Sequence, residues 1–257
     1  MLTRLYIDNF KCFVKFEYRP ARTQLILGAN GSGKSSLIDA LTLLHRFAVQ
    51  AENVAGLPLL DQRTRWLHQR EQIFELEATL DGGSYVYRAV IESPRIAEEA
   101  VHFDGRPIFK FSNGQVYLYD DSFEQKYNYP IDWNRSALAT VATVAQAGEM
   151  RRLTRFRHWL GGLGCFRMNP FAMAPVAETA QENPNFDLSN IASWYRHLEQ
   201  FSEPNELITS LRETLAGLQV FSFCRPEAPE CSWRNSPMRM GKCSHSILVS
   251  CPKDSDA

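Results

Sequence analysis

A glycine-rich loop between Gly28 and Ser36 constrains this chain more than any other feature of its sequence. The loop reads Gly-Ala-Asn-Gly-Ser-Gly-Lys-Ser-Ser and follows the apolar run Leu25–Leu27. Apolar residues at helical spacing come next, at Leu37, Ile38, Leu41 and Leu44. The order strand, loop and helix predicts a cradle for a polyphosphate, because glycines let backbone amides approach phosphate oxygens closely.

Seven consecutive loop residues form the candidate nucleotide site: Asn30, Gly31, Ser32, Gly33, Lys34, Ser35 and Ser36. Their amides are expected to face the β-phosphate at the positive end of the following helix. Lys34 would reach the β- and γ-phosphates, the Ser35 hydroxyl would bind Mg²⁺, and Ser36 could bond the α-phosphate. A chance match to the motif is the alternative, and the flanking strand and helix argue against it.

Composition limits the protein class. The chain has 257 residues, of which 44% are hydrophobic, and its net charge is −1. It can therefore bury a core, and its overall charge does not indicate a nucleic-acid binder. Four arginines between Arg151 and Arg157 predict a solvated helix face. Without an apolar run of spanning length or a signal-peptide core, no membrane contact is expected and a cytoplasmic location is predicted.

The remaining pattern predicts strands first and helices later. Residues 2–18 predict two antiparallel strands joined by a corner at Asn9 to Lys11. Residues 73–120 alternate between apolar and polar side chains and carry three turn signals, which predicts an antiparallel lobe. Helical segments are expected within a region from about 136 to 220, at 136–160, 190–201 and 206–218. No serine, histidine and aspartate arrangement indicates nucleophilic catalysis.

Two motifs together carry a family resemblance. The opening Ile-Asp-Asn-Phe-Lys-Cys-Phe and the loop Gly-Ala-Asn-Gly-Ser-Gly-Lys-Ser resemble the N-terminal part of RecF, SMC and OLD-type ABC-class ATPases over residues 1–45. The resemblance implies an α/β P-loop NTPase fold, an ABC-type head with an antiparallel β lobe and C-terminal helices. It also implies ATP and Mg²⁺ as cofactors, a head-to-tail homodimer, and DNA or an effector protein as partner, in DNA repair, chromosome maintenance or phage defence.

The same resemblance places Lys11 close to the nucleotide or to the partner subunit. A solvated lysine at a strand end is the alternative. In such ATPases a second strand ends in Asp-Glu, where the carboxylates serve Mg²⁺ and the attacking water. This sequence has no run of four apolar residues before Asp-Glu and no in-frame Leu-Ser-x-Gly-Gln signature. No catalytic residue is assigned, and ATP hydrolysis is expected to be negligible.

The last 34 residues, 224–257, hold four of the six cysteines and show no periodicity. A zinc site using Cys224, Cys231, Cys243, His245 or Cys251 is one interpretation, although no C-x-x-C pair is present. The alternative is translation out of frame, because the code lets residues 250–256 be reread as Leu-Ser-Glu-Gly-Gln-Arg. We therefore predict a partial ATPase domain over 1–223 and a disordered, out-of-frame tail over 224–257.

Two other functions stay open. A P-loop kinase or phosphotransferase would need a lid, for which the arginines at 151–157 are available, but the long meander at 73–120 is not typical of kinases. A non-catalytic interaction module, whose loop binds a nucleotide only for structure, is the other alternative.

Overall fold

The structure of the chain, a computed structural model, divides into two units, Met1–Cys165 and Phe166–Ala257. It describes residues 1–80, 82–141, 150–174, 176–177 and 179–201, and two strands at 220–223 and 247–250.

One antiparallel sheet of eight strands forms the framework of the first unit, in the order β2-β1-β3-β4-β5-β6-β7-β8. The strands are β1 Leu2–Asp8, β2 Phe16–Tyr18, β3 Gln72–Leu80, β4 Gly83–Glu92, β5 Arg95–Phe103, β6 Arg106–Ser112, β7 Gln115–Tyr119 and β8 Gln125–Pro130. The predicted opening pair of strands is confirmed. Because β1 also pairs with β3, this opening pair extends the lobe into a larger sheet.

The alternating pattern of the lobe decides which side chains enter the core. On β3, Phe74, Leu76 and Ala78 are buried, and the residues between them are less so, because successive side chains point to opposite faces. Tyr87 lies opposite Leu76 and Ala89 opposite Phe74, and both are fully buried. The predicted meander is confirmed, and it continues past residue 120 through β8.

Two tight turns fix the register of the central strands. Asp104 and Gly105 have φ of 46° and 79°, and Asn113 and Gly114 have φ of 52° and 73°. Two successive left-handed residues are typical of the mirror-image turns whose twist matches that of paired strands. Both turn signals predicted from the sequence are therefore confirmed.

Helices cover this sheet with the apolar faces that the spacing predicts. In the first unit these are α1 Lys34–Ala48, α2 Ala137–Thr140 and α3 Arg151–Gly161, with a 3₁₀ turn at Val54–Gly56. Leu37 and Leu44 of α1 are buried, as are Leu153, Phe156 and Leu160 of α3. The predicted helix at 136–160 corresponds to α2 and α3, and residues 142–149 lie outside the described part of the chain.

A buried carboxylate ties α2 to the sheet. Glu99 on β5 is fully buried and accepts hydrogen bonds from the Tyr87 hydroxyl at 2.9 Å and the Ser136 hydroxyl at 2.6 Å. Its other oxygen accepts from the amides of Ala137 at 2.8 Å and Leu138 at 3.3 Å. Burial raises the pKa of Glu99, although these four donors act in the opposite direction.

The second unit contains α4 Ile191–Phe201 and an antiparallel pair, β9 Val220–Phe223 with β10 Ile247–Ser250. The predicted helix over 190–201 is confirmed, and Tyr195 on its predicted apolar face is buried. Just before α4 begins, the Asp187 carboxylate accepts a hydrogen bond from the Ser189 amide. The predicted helix at 206–218 and the cysteines of the tail lie outside the described residues, so the nature of the tail stays a prediction.

The prediction of a strand at Leu25–Leu27 is wrong. This segment has no regular secondary structure, no strand pairs with it among the described residues, and 78% of Leu25 and 79% of Leu27 is exposed. An apolar run forms a strand only when another strand supplies hydrogen-bond partners. The described part of the chain supplies no such strand.

Candidate functional site

The glycine-rich loop lies on the surface of the first unit, immediately before α1. Gly33 is the N-cap of this helix and has φ of 94°, and Gly31 has φ of 81°. Residues with a Cβ rarely adopt such left-handed angles, so these two positions favour glycine. The loop therefore has the sharp bends that bring its amides to the end of a helix.

The amides at this helix start have no protein acceptor. The amides of Gly33, Lys34, Ser35 and Ser36 donate no hydrogen bond within the described part of the chain, and the first bond of the helix runs from Leu37 to Gly33. Unpaired amides at a helix N-terminus, together with the helix dipole, attract anions. The start of α1 thus leaves four backbone amides available to an anion.

Lys34 is folded back over the loop. Its ammonium nitrogen donates to the carbonyl oxygens of Gly28 and Ala29, both at 2.7 Å, and to the Ser32 hydroxyl at 3.3 Å. Ser32 also donates its amide to Ala29. The lysine thus adds a positive charge beside the free amides, and its present partners are groups of the loop itself.

The two serines that follow Lys34 have uncommitted hydroxyls. Ser35 is exposed and Ser36 is half-buried, and neither side chain makes a hydrogen bond with a described residue. Asn30 is also exposed, and its carboxamide has no partner in the same part of the chain. The side chains of Asn30, Ser35 and Ser36 are therefore free to contact a ligand.

Ser35 fits the first coordination shell of Mg²⁺ through its free hydroxyl oxygen. Mg²⁺ commonly takes one or two protein oxygens and completes its shell with waters and phosphates. No cluster of three or more His, Cys, Asp or Glu side chains suited to a metal occurs among the described residues. The protein would thus supply Ser35, and the remaining ligands would come from the nucleotide and water.

The turn between β1 and β2 forms a wall against the loop. A Cβ added to Gly33 would lie 3.1 Å from the sulfur of Cys12 and 3.3 Å from the ring of Phe13. In the same turn, the Lys11 ammonium lies 2.5 Å from a carboxylate oxygen of Asp39 on α1. The structure thus brings Lys11 to the phosphate-loop helix, and its partner there is Asp39, a residue that the sequence analysis did not identify.

Asn9 holds this turn in place. It is fully buried with φ of 59°, and its side-chain amide donates to the carbonyl oxygens of Gln69 at 2.9 Å and Glu71 at 2.8 Å. Its side-chain oxygen accepts from the Thr64 amide, and its backbone carbonyl accepts from Gln72. Asparagine adopts left-handed backbone angles more readily than most residues. An asparagine at a predicted corner is therefore the sequence signal that points to Asn9.

Arg152 of α3 packs at the edge of the lobe, whereas Arg151 and Arg155 are exposed, as the predicted solvated face requires. The guanidinium of Arg152 lies 4.6 Å from the ring centroid of Phe103 and 4.7 Å from that of Phe123. Asp121 accepts from the amides of Arg151 and Arg152 and so stabilises the helix start. These contacts hold α3 on the lobe.

Residues 4–46 match the family model of an AAA domain. The match runs from β1 through the turn and the glycine-rich loop into α1, so it covers the elements that build the site. It supports the N-terminal region of an AAA-family ATPase and a nucleotide-binding role, but it covers only a small part of the chain. No curated protein matches the chain. Among the described residues, no helix is long and apolar enough to cross a bilayer.

Proposed function

We propose that this chain is the ATP-binding portion of a RecF/SMC/OLD-like ATPase with a P-loop NTPase fold. The observation that carries the proposal is the row of unpaired amides from Gly33 to Ser36 at the start of α1. The AAA-domain match over residues 4–46 supports it, because that segment contains the whole loop.

Each loop residue then has a defined part in binding. The amides between Gly31 and Ser36 hold the β-phosphate, and Lys34 exchanges the carbonyl oxygens of Gly28 and Ala29 for β- and γ-phosphate oxygens. Ser35 donates one oxygen to Mg²⁺, and Ser36 bonds the α-phosphate. Asn30 and Ser32 complete the loop around the phosphates.

Binding of a fluorescent ATP analogue to the full chain, with and without Mg²⁺, tests this function. We expect saturable binding that weakens at least tenfold in Lys34→Ala, since a charge-assisted hydrogen bond contributes about 1.5–3 kcal/mol. Lys126→Ala is the matched control, because Lys126 lies on β8 and pairs with Asp120 and Glu124. Equal affinity in all three proteins, or no binding, would contradict the proposal and favour a nucleotide-indifferent interaction module.

We further propose that this chain binds ATP without appreciable turnover. The sequence contains no apolar run that ends in Asp-Glu, so the carboxylates that would polarise water are missing from it. Phosphate release indistinguishable from that of Lys34→Ala is the expected result. Robust release that is lost in Lys34→Ala would overturn this part of the proposal.

The intact family form would act as a head-to-tail homodimer that couples ATP binding to DNA or to an effector protein, in DNA repair, chromosome maintenance or phage defence. The resemblance of the opening strand and loop supports this role. The proposed out-of-frame tail is tested by the nucleotide sequence after the codon for Phe223. Codons that cannot encode Leu-Ser-Glu-Gly-Gln-Arg in the shifted frame would remove that proposal.

A further inference from the structure

A second cleft lies at the opposite end of α1 from the glycine-rich loop. Its volume is about 400 Å³, and its lining residues are Asn53, Ile131, Asp132, Asn134, Arg135 and Thr140. Asn53 follows the C-terminal end of α1, whereas the loop precedes its N-terminal end, and a 15-residue helix rises about 22 Å. The cleft and the loop share no residue, so a ligand here would be distinct from the nucleotide.

The walls of this cleft are fixed by backbone hydrogen bonds. The Asn134 carbonyl accepts from the Val54 amide at 2.8 Å, which joins the two sides of the cleft. The Ile131 amide donates to Gly114 at 3.0 Å. Ser136, next to Arg135, is fully buried and donates to Glu99. The polar side chains are therefore carried on a rigid frame, which reduces the entropic cost of binding.

The charged groups of the cleft are not neutralised by the protein. Asp132 and Arg135 make no ion pair or side-chain hydrogen bond with any residue in the described ranges, and they do not pair with each other. The carboxamide of Asn134 has no partner in these ranges either, and Asn53 uses only its oxygen, which accepts from the Ala55 amide at 2.9 Å. One negative charge, one positive charge and two amide groups thus remain available to a ligand.

We propose that this cleft binds a small zwitterion of the free amino-acid class. Arg135 holds the carboxylate with its planar guanidinium, and Asp132 holds the ammonium group. A simple anion would be repelled by Asp132 and a simple cation by Arg135, whereas a zwitterion satisfies both. The volume lies at the lower end of the range of about 300–1,000 Å³ for small-molecule pockets, which suits a ligand of amino-acid size.

Ligand-observed NMR with the full chain and the twenty free amino acids, each added singly, tests this proposal. At least one amino acid is expected to bind, and its N-acetyl and methyl-ester derivatives should each bind at least tenfold more weakly. Arg135→Gln and Asp132→Asn should cause losses of the same size. Arg65→Gln and Asp61→Asn are matched controls, since both residues are exposed and lie outside the cleft.

Two results would overturn the proposal. One is the absence of binding by every amino acid up to 10 mM, in a protein whose thermal unfolding is cooperative. The other is binding that both cleft variants leave unchanged. Lys34→Ala should leave amino-acid binding intact, so failure of the nucleotide proposal and failure of this one are distinguishable.

Discussion

Lys11 and Asp39 form an ion pair between the turn after β1 and the helix that begins at the phosphate loop, with 2.5 Å between nitrogen and oxygen. Asp39 lies one helical turn beyond Ser35, the residue that we propose binds Mg²⁺. Cys12 and Phe13 of the same turn lie beside Gly33, where they leave little room for a Cβ. The opening strand and the loop therefore behave as one structural unit, in keeping with the range of the family match.

This ion pair should couple the turn to ligand binding. Lys11→Met and Asp39→Asn are each expected to weaken binding of the ATP analogue several-fold, because either change releases the wall beside Gly33. In a double-mutant cycle on the free energy of unfolding, the coupling should be about 0.5–1 kcal/mol, since both side chains are only partly buried. The more exposed pair of Arg19 and Glu17 is the control. Strictly additive effects of the two substitutions would show that the pair is not coupled.

Gly33→Ala should disrupt the loop more than other glycine substitutions. The left-handed angle and the tight approach to Cys12 and Phe13 together are expected to lower the free energy of unfolding by about 1–3 kcal/mol and to reduce nucleotide binding. Urea unfolding measures the first effect. Gly31→Ala keeps the unfavourable angle but has open space around the new methyl group, and should cost less. Gly161→Ala, at the end of α3 with open space around it, should be neutral or slightly stabilising. Equal costs at all three positions would refute the role assigned to the turn.

Sequence patterns predicted those helices and strands that are determined by interactions between residues close together in the sequence. Period-two alternation on β3 and the spacing of Leu153, Phe156 and Leu160 each identified an element and its buried face. Leu25–Leu27 failed because a strand also needs a neighbour, and pairing depends on segments distant in sequence. The Lys11–Asp39 pair spans 28 positions, so no local window could reveal it. The loop motif predicted candidate binding residues, but not the turn that packs beside them.

The buried carboxylate of Glu99 should make stability depend on pH. Its pKa is raised above the ordinary value of 4.5, so the folded chain binds this proton more tightly than the unfolded chain. The stabilising contribution is therefore fully present below pH 4.5 and is lost as the pH rises through the folded pKa. Urea unfolding of the natural chain and Glu99→Gln at several pH values isolates this contribution, because the other groups titrate in both proteins.

We expect the stability of the natural chain relative to Glu99→Gln to decrease as the pH rises above 4.5. An increase would mean that the four hydrogen-bond donors lower the pKa more than burial raises it. Glu99→Ala should cost about 2–4 kcal/mol below pH 4.5 and less at higher pH, since it leaves the amides of Ala137 and Leu138 and two hydroxyls without an acceptor.

Phe156 should be among the largest contributors to the stability of the first unit. It is fully buried, and its ring lies 5.6 Å from that of Tyr85. Phe156→Ala is expected to cost about 3–5 kcal/mol, because it removes apolar burial and leaves a cavity. Phe171→Ala is the control of identical chemistry at a fully exposed site and should cost less than about 0.5 kcal/mol. Comparable losses in thermal unfolding would contradict the assigned core.

The bare stretch at Leu25–Leu27 has a practical consequence for handling the purified polypeptide. Its apolar side chains are exposed to water, and its backbone N–H and C=O groups have no partners among the described residues. Two molecules can therefore associate through this segment. Concentrated samples should become turbid with time as the protein aggregates, and Leu25→Lys or Leu27→Lys should reduce this aggregation.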